Sequence, residues 1–378
     1  MRTVSEKKKK IERIVTFDIL RGYFLVGIII DHLSFFPNGL DWWSMRGGLF
    51  VTMAEGFFLI SGIILGIIRG AKMVDVPFHE VVKLLLKRGF QLYIVAVILA
   101  ILFTVVGWLF YMNAPGLKSG IAPANTPLWQ LIWNAATFQY LYGWADYLRL
   151  YAVFLFASPL IMWLLRRGLW YVGLGLSLLV WLLFPDSNVA DGGLQEKMQI
   201  VSWQLIFFIG MTIGFYWPTI LAKWRSLSLK ARHVIGGSVV AFAAVTLAYN
   251  VAIMLSTMGF NMSAIGATPQ LQHDLYVAFF DKERLPLTRI ALFLLWFGAA
   301  FYLVRRFEQY ILKFLGWLLL PFGHNSLYVY TVHAFMIFFV HLYLSVGSIP
   351  WNFVVSVTII MIIWLMIRYK VLMKIIPR

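Results

Sequence analysis

TFDILRGYFLVGIIIDHL, running from Thr16 to Leu33, governs how the rest of the chain is read. It is 18 residues long, free of proline and mostly apolar. At about 1.5 Å per residue it is about long enough to cross a hydrocarbon core of about 30 Å. Yet it carries Asp18, Arg21, Asp31 and His32. The residues before it, Met1 to Arg13, are basic, and no small-residue cleavage site follows. The segment therefore reads as a retained first transmembrane helix rather than a signal peptide.

The whole chain extends that pattern. Its 378 residues are 61% hydrophobic, 17% aromatic and only 13% charged, with a mean hydropathy of +0.81. Soluble domains carry about a quarter of their residues as charges, so a soluble enzyme and a disordered chain are both excluded. The composition predicts an all-α polytopic membrane protein of about ten helices, with a single transmembrane domain over 14–367 between basic tails at 1–13 and 368–378. The spans fall at about 14–36, 49–68, 89–110, 147–165, 168–184, 200–217, 233–256, 286–304, 325–345 and 351–367.

The net charge of +16 comes from 32 Lys and Arg against 16 Asp and Glu. These cations sit between apolar runs, so they read as topology signals and not as a nucleic-acid surface. With the N-terminus inside, 24 of the 32 fall on inner segments, and every inner loop is richer than its outer neighbours. Both termini are expected on the cytoplasmic side, in a multi-pass protein of the cytoplasmic membrane. Cysteine is absent, which removes disulfides, Cys-ligated metal and an acyl-Cys intermediate. No paired-His zinc motif, P-loop or nucleophile elbow is present, and no metal is indicated.

Three segments depart from simple spans. Residues 111–146, with Pro115, Pro123 and Pro127 before an aromatic stretch, read as an outer loop plus an interfacial or re-entrant helix. Residues 257–284 read as a long outer loop, and 308–322 as a short inner interfacial helix.

Ionisable side chains inside spans are costly and are the natural functional candidates. Arg21 and His32 are 11 residues apart, which puts them about 20° from one helix face and about 16 Å apart along the axis. Asp18 lies one turn below Arg21. One face thus offers a cation in the inner half and an imidazole in the outer half, suited to a substrate threaded through the membrane with its anionic end inside. Taken singly, Arg21 can instead snorkel to headgroups and His32 can satisfy a carbonyl. Glu55 matches His32 in depth and either orients its imidazole or forms a structural bridge with Arg289 or Arg149. Asp31, about 100° from His32, orients a neighbour or faces outer water. Lys83, Lys87 and Arg88 form an inner cluster able to hold phosphates or simply to anchor the span. In FGHNSLYVYTVHAF, Tyr330 and His333 share a face and either line a cavity or bond neighbouring helices. Asp146 and Arg149 stand at the outer side as sugar contacts or interfacial anchors.

Asp18-x-x-Arg21-Gly22 followed by His32 resembles the first-helix signature of the acyltransferase-3 superfamily, and in detail that of the OpgC family. Matching stretches are AEGFFLISG (54–62), ADYLRLYAVFLFASPL (145–160), SWQLIFFIGMTIG (202–214), LPLTRIALFLLWFGAAFYLV (285–304) and HNSLYVYTVHAF (324–335). The resemblance implies ten membrane helices and transfer of an acetyl or succinyl group from cytoplasmic acyl-CoA to an extracytoplasmic carbohydrate. It puts His32 in the catalytic histidine position, Arg21 in that of the arginine and Glu55 in that of the carboxylate, and Asp31 stands where many members have Asn. On this reading the CoA phosphates dock on Lys87, Arg88 and Arg21, and His32 acts as general base or carries the acyl group. The competing class is a transporter or flippase for an envelope glycan or lipid, which would more often show inverted repeats. No such repeat is visible.

Overall fold

The computed structural model describes residues 14–110, 121–142, 146–183, 200–373 and 376. Residues 1–13 with their basic cluster, Lys118, Lys197, Lys374 and Arg378 lie outside them. All regular structure among the described residues is helical. The helices are α1 (Val15–Leu33), α2 (Asp41–Ser44), α3 (Met53–Leu65), α4 (Phe78–Phe110), α5 (Leu128–Ala136), α6 (Asp146–Arg166), α7 (Trp170–Leu183) and α8 (Ile200–Phe215). They continue with α9 (Trp217–Ser226), α10 (Leu229–Thr257), α11 (Pro269–Leu275), α12 (Leu287–Arg306), α13 (Glu308–His324), α14 (Ser326–Tyr343) and α15 (Ile349–Arg368). Long apolar runs without water must satisfy every backbone N–H and C=O internally, and a helix does so within one segment.

Seven helices are long and apolar enough to cross a membrane, and eight if the bent pair α8 and α9 counts as one span. The expected number was about ten. The other two expected spans are present as helices but differ for physical reasons. α1 carries Asp18, Arg21 and Asp31 within 19 residues, and α7 has only 14 residues. α9 turns 63° away from α8 and carries Lys223 and Arg225 in its last turn, where the chain meets the cation-rich inner side.

Lipid supplies no hydrophobic drive between helices, so association depends on close backbone approach. α3 and α8 achieve this with reciprocal small-residue pairs, Gly62 and Gly66 against Gly210 and Gly214. A β-carbon on Gly62 would stand 2.1 Å from the Phe207 carbonyl oxygen, and one on Gly214 would stand 2.0 Å from that of Ile63. α1 packs against α3, α12, α13, α14 and α15 and so lies at the centre. The segment expected as a short interfacial helix is α13, 17 residues long, and it lies directly on the inner half of α1. A β-carbon on Gly22 would meet the Leu319 carbonyl oxygen at 2.1 Å, and one on Gly323 would meet that of Asp18 at 1.9 Å.

The stretch after Pro127 forms a short helix, α5, that leads into buried irregular backbone. α5 exposes Leu128, Trp129, Ile132 and Trp133 and buries Leu131 and Ala135. Beyond it, non-helical Tyr140, Leu141 and Tyr142 are buried. Irregular backbone at depth is tolerated only inside protein. Here Tyr93 donates to the Ala136 carbonyl at 2.8 Å, and the Tyr140 hydroxyl accepts from the Ala122 N–H at 3.0 Å.

Candidate active site

The site has two storeys on α1. The lower is a cavity of about 700 Å³ at the inner end, where α1, α3, α4 and α14 meet. Its cations are Arg21, Arg69, Lys72, Lys87 and Arg88, against the single carboxylate of Asp18, with Gln91, Tyr151 and His324 also in the wall. Apolar Ile64, Leu65, Leu84 and Leu327 complete the lining. Such a chamber offers several positive charges and an apolar wall to one elongated anion. Lys83 is exposed and is not part of the lining.

Arg21 stands at the roof of this cavity. Its Nη2 reaches the Ser61 hydroxyl at 3.4 Å, its guanidinium lies 5.3 Å from the Phe57 ring centre, and its buried Nε has no hydrogen-bond partner. Asp18 is buried, and His324 Nε2 stands 3.4 Å from its carboxylate. Above Arg21 the aromatic rings of Phe57, Tyr147 and Tyr330 pack with centroids 4.6–6.3 Å apart, all nearly inaccessible to solvent.

The upper storey is a histidine pair. His32 Nδ1 lies 3.0 Å from His333 Nε2, and the rings stack at 29° with centroids 5.3 Å apart. His333 is fully buried, and its Nδ1 lies 2.5 Å from the Tyr330 carbonyl oxygen one turn back on α14. A carbonyl only accepts, so His333 Nδ1 donates.

Glu55 takes the structural of its two readings. Its Oε1 accepts from Arg289 Nε at 2.6 Å, with Nη2 at 2.5 Å. Its Oε2 accepts from the Thr52 backbone N–H at 3.0 Å and hydroxyl at 2.6 Å. Arg289 Nη1 donates to the Phe280 carbonyl at 2.7 Å. The carboxylate thus caps α3 and ties it to α12 and the outer loop, and the group beside His32 is His333. Thr52-x-x-Glu55 is a capping-box signature legible in the sequence. The matched depths of Glu55 and His32 mask that signature.

Asp31 bonds to the outer segment that follows α1. It accepts a hydrogen bond from the Ser44 hydroxyl, which ties the end of α1 to the outer loop. Within that loop the Asp41 carboxylate accepts from the N–H groups of Asn38 and Gly39 at 3.0 and 2.9 Å and pairs with Arg46. Partial burial pushes its pKa up, but these bonds and the Arg46 charge outweigh it and hold the group below the usual carboxylate range. Arg149 is buried, 3.5 Å from the Phe138 carbonyl oxygen. Asp146 opens α6, and its side chain lies outside the described residues. Among the described residues no group of three or more His, Cys, Asp or Glu is placed to hold a metal ion.

A family model described as OpgC protein matches residues 13–375, nearly the whole chain. The chain belongs to the OpgC family. Membership makes this OpgC protein a membrane transferase of acyltransferase type concerned with glucan modification. No curated protein and no solved structure matches it. The sequence reading of this OpgC chain missed Arg69 and Lys72, which had counted only as inner-loop charges. Their signal is a spacing of three, which puts both near the inner end of α3 facing Lys87 and Arg88.

Proposed function

We propose that the protein transfers an acetyl or succinyl group from cytoplasmic acyl-CoA to a hydroxyl of an extracytoplasmic glucan, across the cytoplasmic membrane. The observation that carries this reading is the single α1 face that joins the cationic inner cavity to the histidine pair. CoA is an elongated polyanion with an apolar arm. The cavity matches it, with Arg69, Lys72, Lys87 and Arg88 near the mouth for phosphates and Arg21 at the roof.

In the reaction, His32 takes the proton of an acceptor hydroxyl as its oxygen attacks the thioester carbonyl. The C–S bond breaks, and the CoA thiolate leaves and is protonated, while the acyl group ends as an ester on the sugar. Asp31, Asp146 and Arg149, near the outer end, are proposed to contact the acceptor. Tyr330 is proposed to line the passage through its ring.

The test is binding of acetyl-CoA and succinyl-CoA to detergent-purified protein, followed by transfer of labelled acyl to a glucan oligosaccharide in proteoliposomes. Arg21→Ala and Lys87→Ala/Arg88→Ala are expected to weaken donor binding at least tenfold. His32→Ala is expected to keep donor binding while losing transfer by about 10²–10⁴-fold. Saturable binding unaffected by the cation variants, or near-normal turnover without His32, would overturn the reading.

A further inference from the structure

We infer that His333 is a positioning residue that fixes the tautomer of His32, with the Tyr330 backbone carbonyl as the fixed end of the relay. The inference rests on the reading of His32 as the base and adds to it the device that aims that base.

The argument follows donors and acceptors. The Tyr330 carbonyl can only accept, and His333 Nδ1 stands 2.5 Å from it. The His333 proton is therefore on Nδ1, and in the neutral ring Nε2 holds a lone pair. That lone pair faces His32 Nδ1 at 3.0 Å, so His32 must supply the hydrogen from Nδ1. The nitrogen of His32 left to accept a proton is Nε2. A backbone carbonyl one turn away on α14 cannot rotate, and His333 is fully buried between it and His32. The ring of Tyr330, 4.5 Å from the His333 ring centre, holds the imidazole from a second side. The chain of bonds thus starts at rigid backbone and ends at the proton-accepting nitrogen.

An orienting group usually serves by fixing which ring nitrogen is protonated and by accepting from the imidazolium once it forms. A carboxylate would do both but would leave a negative charge at membrane depth. In this protein Glu55, the carboxylate matched to His32 in depth, has both oxygens engaged by Arg289 and Thr52. A neutral imidazole supplies the same directional lone pair without a charge. It also accepts from His32 Nδ1 before and after the proton moves, so the ring need not turn during the transfer.

The experiment compares His333→Leu and His333→Met, which fill the space without a comparable acceptor, with His333→Gln, which keeps one, and with His32→Gln. Protein with ¹⁵N-labelled histidine has seven histidines, and the His32 resonances are those lost in His32→Gln. In the unaltered protein, neutral His32 is expected to carry its proton on Nδ1. In the Leu and Met variants the Nε2–H form should take over, kcat should fall about 10²-fold or more, and KM for acyl-CoA should stay within about threefold. Gln should recover at least tenfold of the lost kcat. Having two acceptor-free variants keeps the comparison open if one does not fold. The inference is overturned if either folded variant keeps the Nδ1–H form or retains kcat within about threefold while His32→Gln is inactive. Near-normal turnover in His32→Gln would instead remove the base reading itself, and the positioning role with it.

Discussion

Replacing Glu55 separates a residue that holds the protein together from one that performs chemistry. The carboxylate is 0% exposed and its Arg289 partner 1%. It engages two guanidinium nitrogens and two groups of Thr52 at 2.5–3.0 Å. Removing one partner of such a pair leaves an uncompensated buried charge, at a cost of about 3–5 kcal/mol. At about 1.4 kcal/mol per tenfold, that is a two- to nearly four-decade shift of the unfolding equilibrium. Glu55→Gln should cost at the lower end, because the amide keeps the shape and one acceptor while Arg289 loses its counter-charge. Arg289→Met should cost about as much, since it strands the carboxylate and releases the Phe280 carbonyl. The double variant should cost clearly less than the sum of the two, because neither charge is then left alone. The assay is reversible denaturation of the reconstituted protein, with acyl transfer measured per folded molecule. Folded Glu55→Gln should retain transfer within about tenfold. A variant with unaltered stability and no transfer would show that Glu55 acts in the chemistry and would refute this assignment.

Two further outcomes follow from the packing. Gly62→Leu or Gly214→Leu should destabilise the α3–α8 pair by more than the usual cost of overpacking, about 1–3 kcal/mol, because the added atoms meet backbone at 2.0–2.1 Å. Gly175→Ala in α7, with nothing within 4 Å of an added β-carbon, should leave the midpoint of thermal unfolding unchanged or slightly raised. For the aromatic layer, Tyr147→Cys in this cysteine-free chain should react slowly with a small thiol reagent added from the inner side. A rate equal to that of an exposed control position would show that the rings do not narrow the passage between cavity and histidine pair.

The architecture was legible because its signals are redundant. Each span carries a long apolar run, and the inner cations mark every second loop. Where the count differed, the cause was local: α7 is short, and α1 sacrifices apolarity to Asp18, Arg21 and Asp31. The cavity was half legible. Lys83, Lys87 and Arg88 read from the sequence as a phosphate cluster or a span anchor, and the reading built on the family resemblance adds Arg21 to Lys87 and Arg88. Arg69 and Lys72 do not stand out, because positive-inside charges and phosphate ligands look alike until the fold places them in one cavity wall with Lys87 and Arg88. The histidine pair was hidden for another reason. The Tyr330 and His333 spacing showed a shared face of α14, but which face of α14 meets α1 is decided by tertiary packing 301 residues away in sequence.

The buried ionisable groups divide by what they face, and that division identifies the site better than their presence does. An ionisable residue within a membrane span is a functional candidate by default, yet Glu55 and Arg289 are fully buried and bound to each other, to Thr52 and to the Phe280 carbonyl. Arg21 is different. It is only partly buried, faces the cavity, makes one long bond to Ser61 and keeps a buried Nε without a partner. In a well-packed interior that unmet donor costs about 1–3 kcal/mol, and an anionic ligand in the cavity would recover it. His32 and His333 solve the burial problem a third way, as a directional pair that carries its polarity without a net charge. A fully enclosed ion pair resists change, a cation facing the cavity awaits a ligand, and a neutral pair can take and return a proton. Only the last two suit a transferase, and both lie on the same face of α1.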